Sequence, residues 1–278
     1  MLFDLQSPGR RRVVRITFGA LAAIFAISFV LLGVGTGGSG FSISDLFGNS
    51  GGGDTSSAFD DDIKAAEQKL AVNPNDTAAL AELVQLRYQA GSQDVNSDGT
   101  LTGDGEQLLR ESADAWNKYV KVSKGNIDRT AALFALNTFD QLGAIDFAQA
   151  RSDTSTTEAL TDVTAAVDDW KSAAQAQQVL IDAEPQKSAS NSYARLASYL
   201  YLSGQSQGAD QAVAKAKSAK GGNASAIDSQ LNQIQQLGQQ LQAAIKQLTK
   251  QQQQTQGAGG TGGATGGGNP LGGLGGGL

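Results

Sequence analysis

Cysteine and histidine are both missing from the 278 residues of this chain. Without Cys there is no disulfide, no thiolate metal site, no thiol nucleophile and no cysteine to carry a lipid anchor. Without His the commonest general base and the commonest metal ligand are gone together. Hydrolases built on a Ser–His or Cys–His pair are therefore excluded, and the expectation is a protein that is not an enzyme. Proline is scarce as well, 4 residues in all, and runs rich in β-branched residues are lacking. That composition permits long helices.

Basic residues are sparse after the first fifteen positions. Arg10, Arg11, Arg12 and Arg15 precede an uncharged run from Ile16 to Val34, and no Lys or Arg follows before Lys64. As a helix, that run would be about 28 Å long, close to the hydrocarbon thickness of a bilayer. The positive-inside rule then places residues 1–15 in the cytoplasm, residues 16–34 in the membrane, and the remainder outside. A cleaved signal peptide is the rival reading. It requires a shorter apolar stretch and a small-x-small site, which Gly33-Val34-Gly35-Thr36 matches poorly. Four of the 21 basic and one of the 27 acidic residues precede the span, leaving 17 against 26 and a formal charge of −9 on the outer part. An acidic surface without a basic cluster argues against nucleic acid or anionic lipid as its ligand.

Glycine marks the boundaries of the globular part. Residues 35–57 are Gly/Ser-rich and read as a flexible linker reaching about 26 Å, with Phe41, Ile43, Leu46 and Phe47 as an apolar patch within it. Residues 253–278 form a low-complexity tail in which 13 of the last 22 residues are Gly, too poor in apolar surface to offset the entropy of ordering.

Between them, residues 58–252 have helical periodicity. Ile63, Ala66 and Leu70 form one face of a short helix that ends near Asn73-Pro74. Pro74-Asn75-Asp76 then supplies a stop and an N-cap. Leu80, Leu83, Val84 and Tyr88 follow on one stripe, closed by Gly91. Helices are expected at about 105–122 and 128–142, then a long one from Thr156 that Pro185 stops. The next carries Tyr193, Leu196, Ala197 and Leu200 to Gly204, and its partner carries Ala209, Val213 and Ala216. The fold class is all-α.

These residues resemble tetratricopeptide repeats, whose units carry W-x2-L-G-x2-Y, a turn Gly, Ala-x3-Phe-x2-Ala and a closing Pro. Tyr193, Leu196, Ala197, Leu200, Gly204, Ala209, Val213 and Ala216 match that spacing with hydrophobic substitutes; Leu80, Leu83, Val84 and Gly91 match the first half of another unit. A middle unit near Ala132–Gly143 is degenerate, and the glycines Gly91, Gly143 and Gly204 are 52 and 61 residues apart where the family has about 34. The resemblance implies a right-handed helical solenoid, a fold that hosts many unrelated partners. The whole layout resembles membrane-anchored repeat proteins of the actinobacterial envelope and, more distantly, accessory factors beside the Sec translocon. The implied function is an extracytoplasmic protein–protein scaffold at the cell membrane, with an export or folding accessory as the alternative.

Within that frame the first helices of the units would line a groove. Gln85, Asn191 and Arg195 are its candidate partner-binding residues; the Lys/Arg clamp that co-chaperone members use for a terminal carboxylate is missing. Trp116, Tyr119, Trp170, Tyr193 and Tyr199 are read as packing between helices. Asp60-Asp61-Asp62 is read as a helix start favoured by the dipole.

The loop Asp94–Leu101 has the oxygen pattern of a calcium loop and resembles those of dockerins: Asp94, Asn96, Asp98, the Thr100 carbonyl, and Gly99 at the sharp turn. Its twelfth position is Gly105 in place of a carboxylate, with Asp104 and Glu106 on either side. A polar connecting loop accounts for the same residues. Finally, Ile227, Ile234, Leu241 and Leu248 repeat every seven residues, with Leu237 and Ala244 between. That helix either caps the solenoid with its Gln-rich outer face or forms a coiled-coil homodimer.

Overall fold

The computed structural model describes residues 56–97, 99–185 and 189–257, and side chains from Phe59 to Gln254 among them. Among the described residues the chain is all-helical. Its elements are α1 (Ser56–Val72), α2 (Thr77–Gln93), α3 (Gly103–Val122), α4 (Arg129–Ser152), α5 (Thr156–Ala183), α6 (Ser190–Leu202), α7 (Ser206–Ser218) and α8 (Ala224–Gly257). None of these helices is long and apolar enough to cross a membrane. The expected span at 16–34, the linker up to residue 55 and the tail from residue 258 lie outside the described residues.

Short polar residues start the helices where their side chains satisfy amides that have no partner inside the helix. Asp76 Oδ1 accepts from the amides of Ala78 and Ala79, both at 3.0 Å. Thr102 Oγ1 accepts from Gly105 N at 2.9 Å, and Asp128 Oδ1 from Ala131 N at 2.8 Å. The turn between α6 and α7 passes through Gly204 at φ +77°, a conformation that a side chain disfavours.

Consecutive helices pack as hairpins: α1 on α2, α2 on α3, α4 on α5, α5 on α6, and α6 on α7. Helix α4 also packs on both α2 and α3, which puts it at the centre, and its residues Ala131, Ala132 and Phe134 to Phe139 are buried. The last helix returns along α6 and α5 and touches α7. A single apolar core runs from Ala66 on α1 to Leu248 on α8. Each fully buried Leu or Phe in it contributes about 1.5–3 kcal/mol.

The aromatics are spent on this packing. Trp116, Tyr119, Trp170 and Tyr199 are buried, and Tyr193 is half-buried with Lys215 Nζ 5.9 Å from its ring centroid. The heptad residues Ile227, Ile234, Leu241 and Leu248 are also buried against their own chain.

Three features differ from the sequence expectation. Gly143 does not end a helix; α4 continues ten residues further, to its C-cap at Asp153. The reason is steric, since a Cβ on Gly143 would stand 2.6 Å from the Trp170 indole nitrogen. Gly91 likewise lies inside α2, where a Cβ would stand 2.7 Å from the Gly105 carbonyl of α3. It lets two backbones approach and does not terminate a helix. Asp60-Asp61-Asp62 falls past the first turn of α1, which begins at Ser56.

Candidate functional site

Of the residues expected to line a groove, Gln85 lies on α2 and Asn191 and Arg195 lie on α6. Packing brings Tyr88 of α2, Asn137 and Asp140 of α4, and Arg195 and Tyr199 of α6 together. Arg195 Nε donates to the Tyr199 hydroxyl at 3.0 Å, and its Nη2 donates to Asn137 Oδ1 at 3.3 Å and stands 4.0 Å from Asp140 Oδ2. Tyr199, fully buried, is also hydrogen-bonded to Asp140. Burial pushes the Asp140 carboxyl up from its ordinary range, against the pull of Arg195 and the Tyr199 bond. The Tyr199 and Tyr88 phenols are held above their ordinary values by burial first and the Asp140 charge second.

Of the three residues expected to face a partner, Arg195 is thus committed inside the fold, with its side chain 19% exposed. Asn191 is exposed one helical turn N-terminal to it on α6, and Gln85 is half-exposed on α2. Sequence reasoning missed Tyr88, Asn137 and Asp140 as partners of Arg195, because helical spacing within one element carries no information about the helix across the seam.

A second polar centre joins α3, α4 and α5. Arg110 of α3 donates from Nη2 to Asp146 of α4 at 2.6 Å and to Glu106 of its own helix at 2.7 Å. Gln149 of α4 reaches Glu106 Oε2 at 3.4 Å. Burial opposes the charged guanidinium, yet the bonds to Asp146 and Glu106 outweigh it and hold the proton more firmly than usual. Asp169 of α5 faces Asp146 across the seam. A third joint ties α1, α2 and α3: Arg87 Nη2 donates to Glu67 at 2.7 Å and its Nε stands 3.3 Å from Glu111.

The calcium-like loop folds as a small hairpin. Asn96 N donates to Thr100 O at 2.7 Å, Thr102 N donates to Asp94 O at 3.0 Å, and Val95 bridges Leu101. The Asn96 side chain presents its nitrogen, not its oxygen, to Thr100 Oγ1 and Leu101 O. Thr102 Oγ1 caps α3, Asp104 lies in the first turn of that helix, and Glu106 is held by Arg110. Asp98 lies outside the described residues. Among the described residues no three acidic side chains stand where they could hold a metal ion.

No protein-family model, curated protein or solved structure matches this chain. The functional reading therefore rests on its own residues. They provide a helical domain in which polar clusters tie α2, α4 and α6, and α3 and α4, together.

Proposed function

We propose that this chain is a membrane-anchored, extracytoplasmic protein–protein interaction scaffold whose helix pairs α2/α3, α4/α5 and α6/α7 are divergent tetratricopeptide units in a right-handed solenoid. The observation that carries the reading is the seam in which Arg195 of α6 bonds Asn137 and faces Asp140 of α4, while α4 packs on α2. Stacked helical units of this kind create the extended binding surfaces that repeat proteins use. The sequence contributes the anchor, through the four arginines ahead of the apolar run 16–34. Burial of the heptad residues within the domain favours α8 as a cap over α8 as a dimer helix. Partners are one or more proteins, and the acidic balance disfavours nucleic acid.

Two measurements test this. A reporter active only outside the cytoplasm, fused after Lys250, is active if the topology is right; activity of a cytoplasm-only reporter at that point refutes it. Crosslinking in membranes followed by affinity capture returns one stable protein partner for a scaffold. Translocon subunits together with many different clients would instead make the chain an export or folding accessory.

A further inference from the structure

Charge is divided unevenly along the helices. From Ser56 to Val122, the stretch of α1 to α3, there are 12 acidic and 6 basic residues, a formal charge of −6. From Ser190 to Gly257, the stretch of α6 to α8, there are 2 acidic and 6 basic residues, a formal charge of +4. The first and last helices also sit in different parts of the packing. Helix α1 packs chiefly on α2, whereas α8 packs on α5, α6 and α7. Each therefore has an outer face turned away from the core.

Ion pairs within the fold do not cancel this division. Among α6 to α8 both acids are engaged, Asp210 by the Tyr201 hydroxyl and Asp228 by the Lys217 ammonium. No Asp or Glu follows Asp228. The outer face of α8, through Gln236, Gln240, Ala243 and Gln247, thus carries exposed Lys246 and Lys250 as its charges. Among α1 to α3 the glutamates are engaged instead: Glu67 and Glu111 by Arg87, Glu82 by Lys69, and Glu106 by Arg110. Asp60, Asp61 and Asp62 are exposed, and none forms an ion pair among the described residues. Asp61, Lys64, Ala65, Gln68 and Val72 make an exposed stripe of α1, opposite Ile63, Ala66 and Leu70 on its packed side. Val72, at the end of that stripe, is 88% exposed, so apolar surface remains there to be covered.

We propose that two copies of this chain dock head to tail, the acidic outer face of α1 on one copy against the Lys246–Lys250 face of α8 on the other. A second copy is the occupant because the chain itself supplies both halves of a complementary contact, on faces that its own packing leaves open. Unlike ends attract and like ends repel, which selects a heterologous contact over a two-fold one. An anionic lipid surface fits less well, since the part of the chain after residue 34 carries a formal charge of −9. The contact leaves the heptad stripe of Ile227, Ile234, Leu241 and Leu248 buried in its own chain. It also leaves Gln85 and Asn191 untouched, so it stands apart from the partner-binding reading. Exposed ion pairs are individually weak, so several act together, and salt, with a screening length of about 8 Å at physiological strength, weakens them.

The test uses two full-length copies with different tags, expressed together and crosslinked in isolated membranes. The chain has no Cys, so Gln68→Cys on α1 of one copy and Gln247→Cys on α8 of the other, both at exposed positions, are the only thiols that a bis-maleimide can join between them. The mixed pair crosslinks, and like pairs crosslink far less. Asp60→Lys, Asp61→Lys and Asp62→Lys together in the first copy abolish the mixed crosslink. Adding Lys246→Glu and Lys250→Glu to the second copy restores it, which also shows that both variants fold. Added salt weakens the crosslink between copies of unreversed charge. No mixed crosslink, like pairs that join as well as the mixed pair, or a mixed crosslink indifferent to charge reversal would each overturn head-to-tail docking. So would binding to phosphatidylglycerol vesicles that Lys246→Glu/Lys250→Glu abolishes while no mixed crosslink forms, since the lysines would then serve an anionic membrane.

Discussion

Gly143 of α4 lies directly beneath the indole of Trp170 on α5, so close that a Cβ on the glycine would stand 2.6 Å from the ring nitrogen and 2.8 Å from Cδ1. Trp170 is buried and packs, tilted by 59° with centroids 5.8 Å apart, against Phe147, one turn further along α4. Ala at 143 gains about 1 kcal/mol of helix propensity but forces the indole aside, an overpacking cost of about 1–3 kcal/mol. Gly143→Ala is expected to lower stability by about 1 kcal/mol, and Gly143→Leu by more. Trp170→Ala should relieve the Gly143→Leu clash in a double-mutant cycle of chemical unfolding. Additive effects would show that the two residues do not meet.

Arg195 separates a structural role from a partner-binding one. Its removal leaves Asp140 of α4 and Tyr199 of its own helix without their cation, expected to cost about 1–3 kcal/mol. Lysine should not restore it, because a point charge cannot bond Tyr199 and Asn137 from one planar fork. Thermal melts of Arg195→Ala and Arg195→Lys check this. Unchanged melting with lost partner capture would make Arg195 a contact residue instead.

Helix α8 is held where Gly238 meets the Tyr201 carbonyl of α6, a contact with no room for a Cβ. Because the obstacle is backbone, Gly238→Val should release α8 and expose it to protease, with the domain core melting lower. Leu241, 0% exposed, gives the same result as Leu241→Asp by burying an unpaired charge. Protease resistance equal to wild type in both variants would contradict the docking of α8 on α6.

The 94–102 loop is closed by its own hydrogen bonds, with the Asn96 amide nitrogen turned inward and Glu106 held by Arg110. A calorimetric calcium titration is therefore expected to give no heat, and Asp94→Ala to melt identically with and without calcium. Saturable binding with a calcium-dependent rise in melting temperature would mean that the loop reorganises around the ion.

Local grammar was legible in the sequence; long-range pairing was not. Pro74-Asn75-Asp76 announced a stop and a cap, and Asp76 caps α2. Gly204 announced a turn and sits at positive φ. The seven-residue spacing of Ile227 to Leu248 announced a buried stripe. Gly143 misled because a glycine that admits an indole from 27 residues away reads like a glycine that ends a helix. Asp146 carries no signal of its own in the sequence, since its Arg110 partner belongs to α3, 36 residues away. Arg195 stood out as a cation on a first helix, but its partners belong to α4.

The scaffold reading is tested most directly by photocrosslinking from single positions in intact membranes. A photoreactive residue at exposed Asn191 of α6, or at Gln85 of α2, should capture one protein partner, while the same residue at exposed Lys118 of α3 or Lys171 of α5 should not. Equal capture from all four positions, or capture only from α3 and α5, would contradict a binding face built on the first helices.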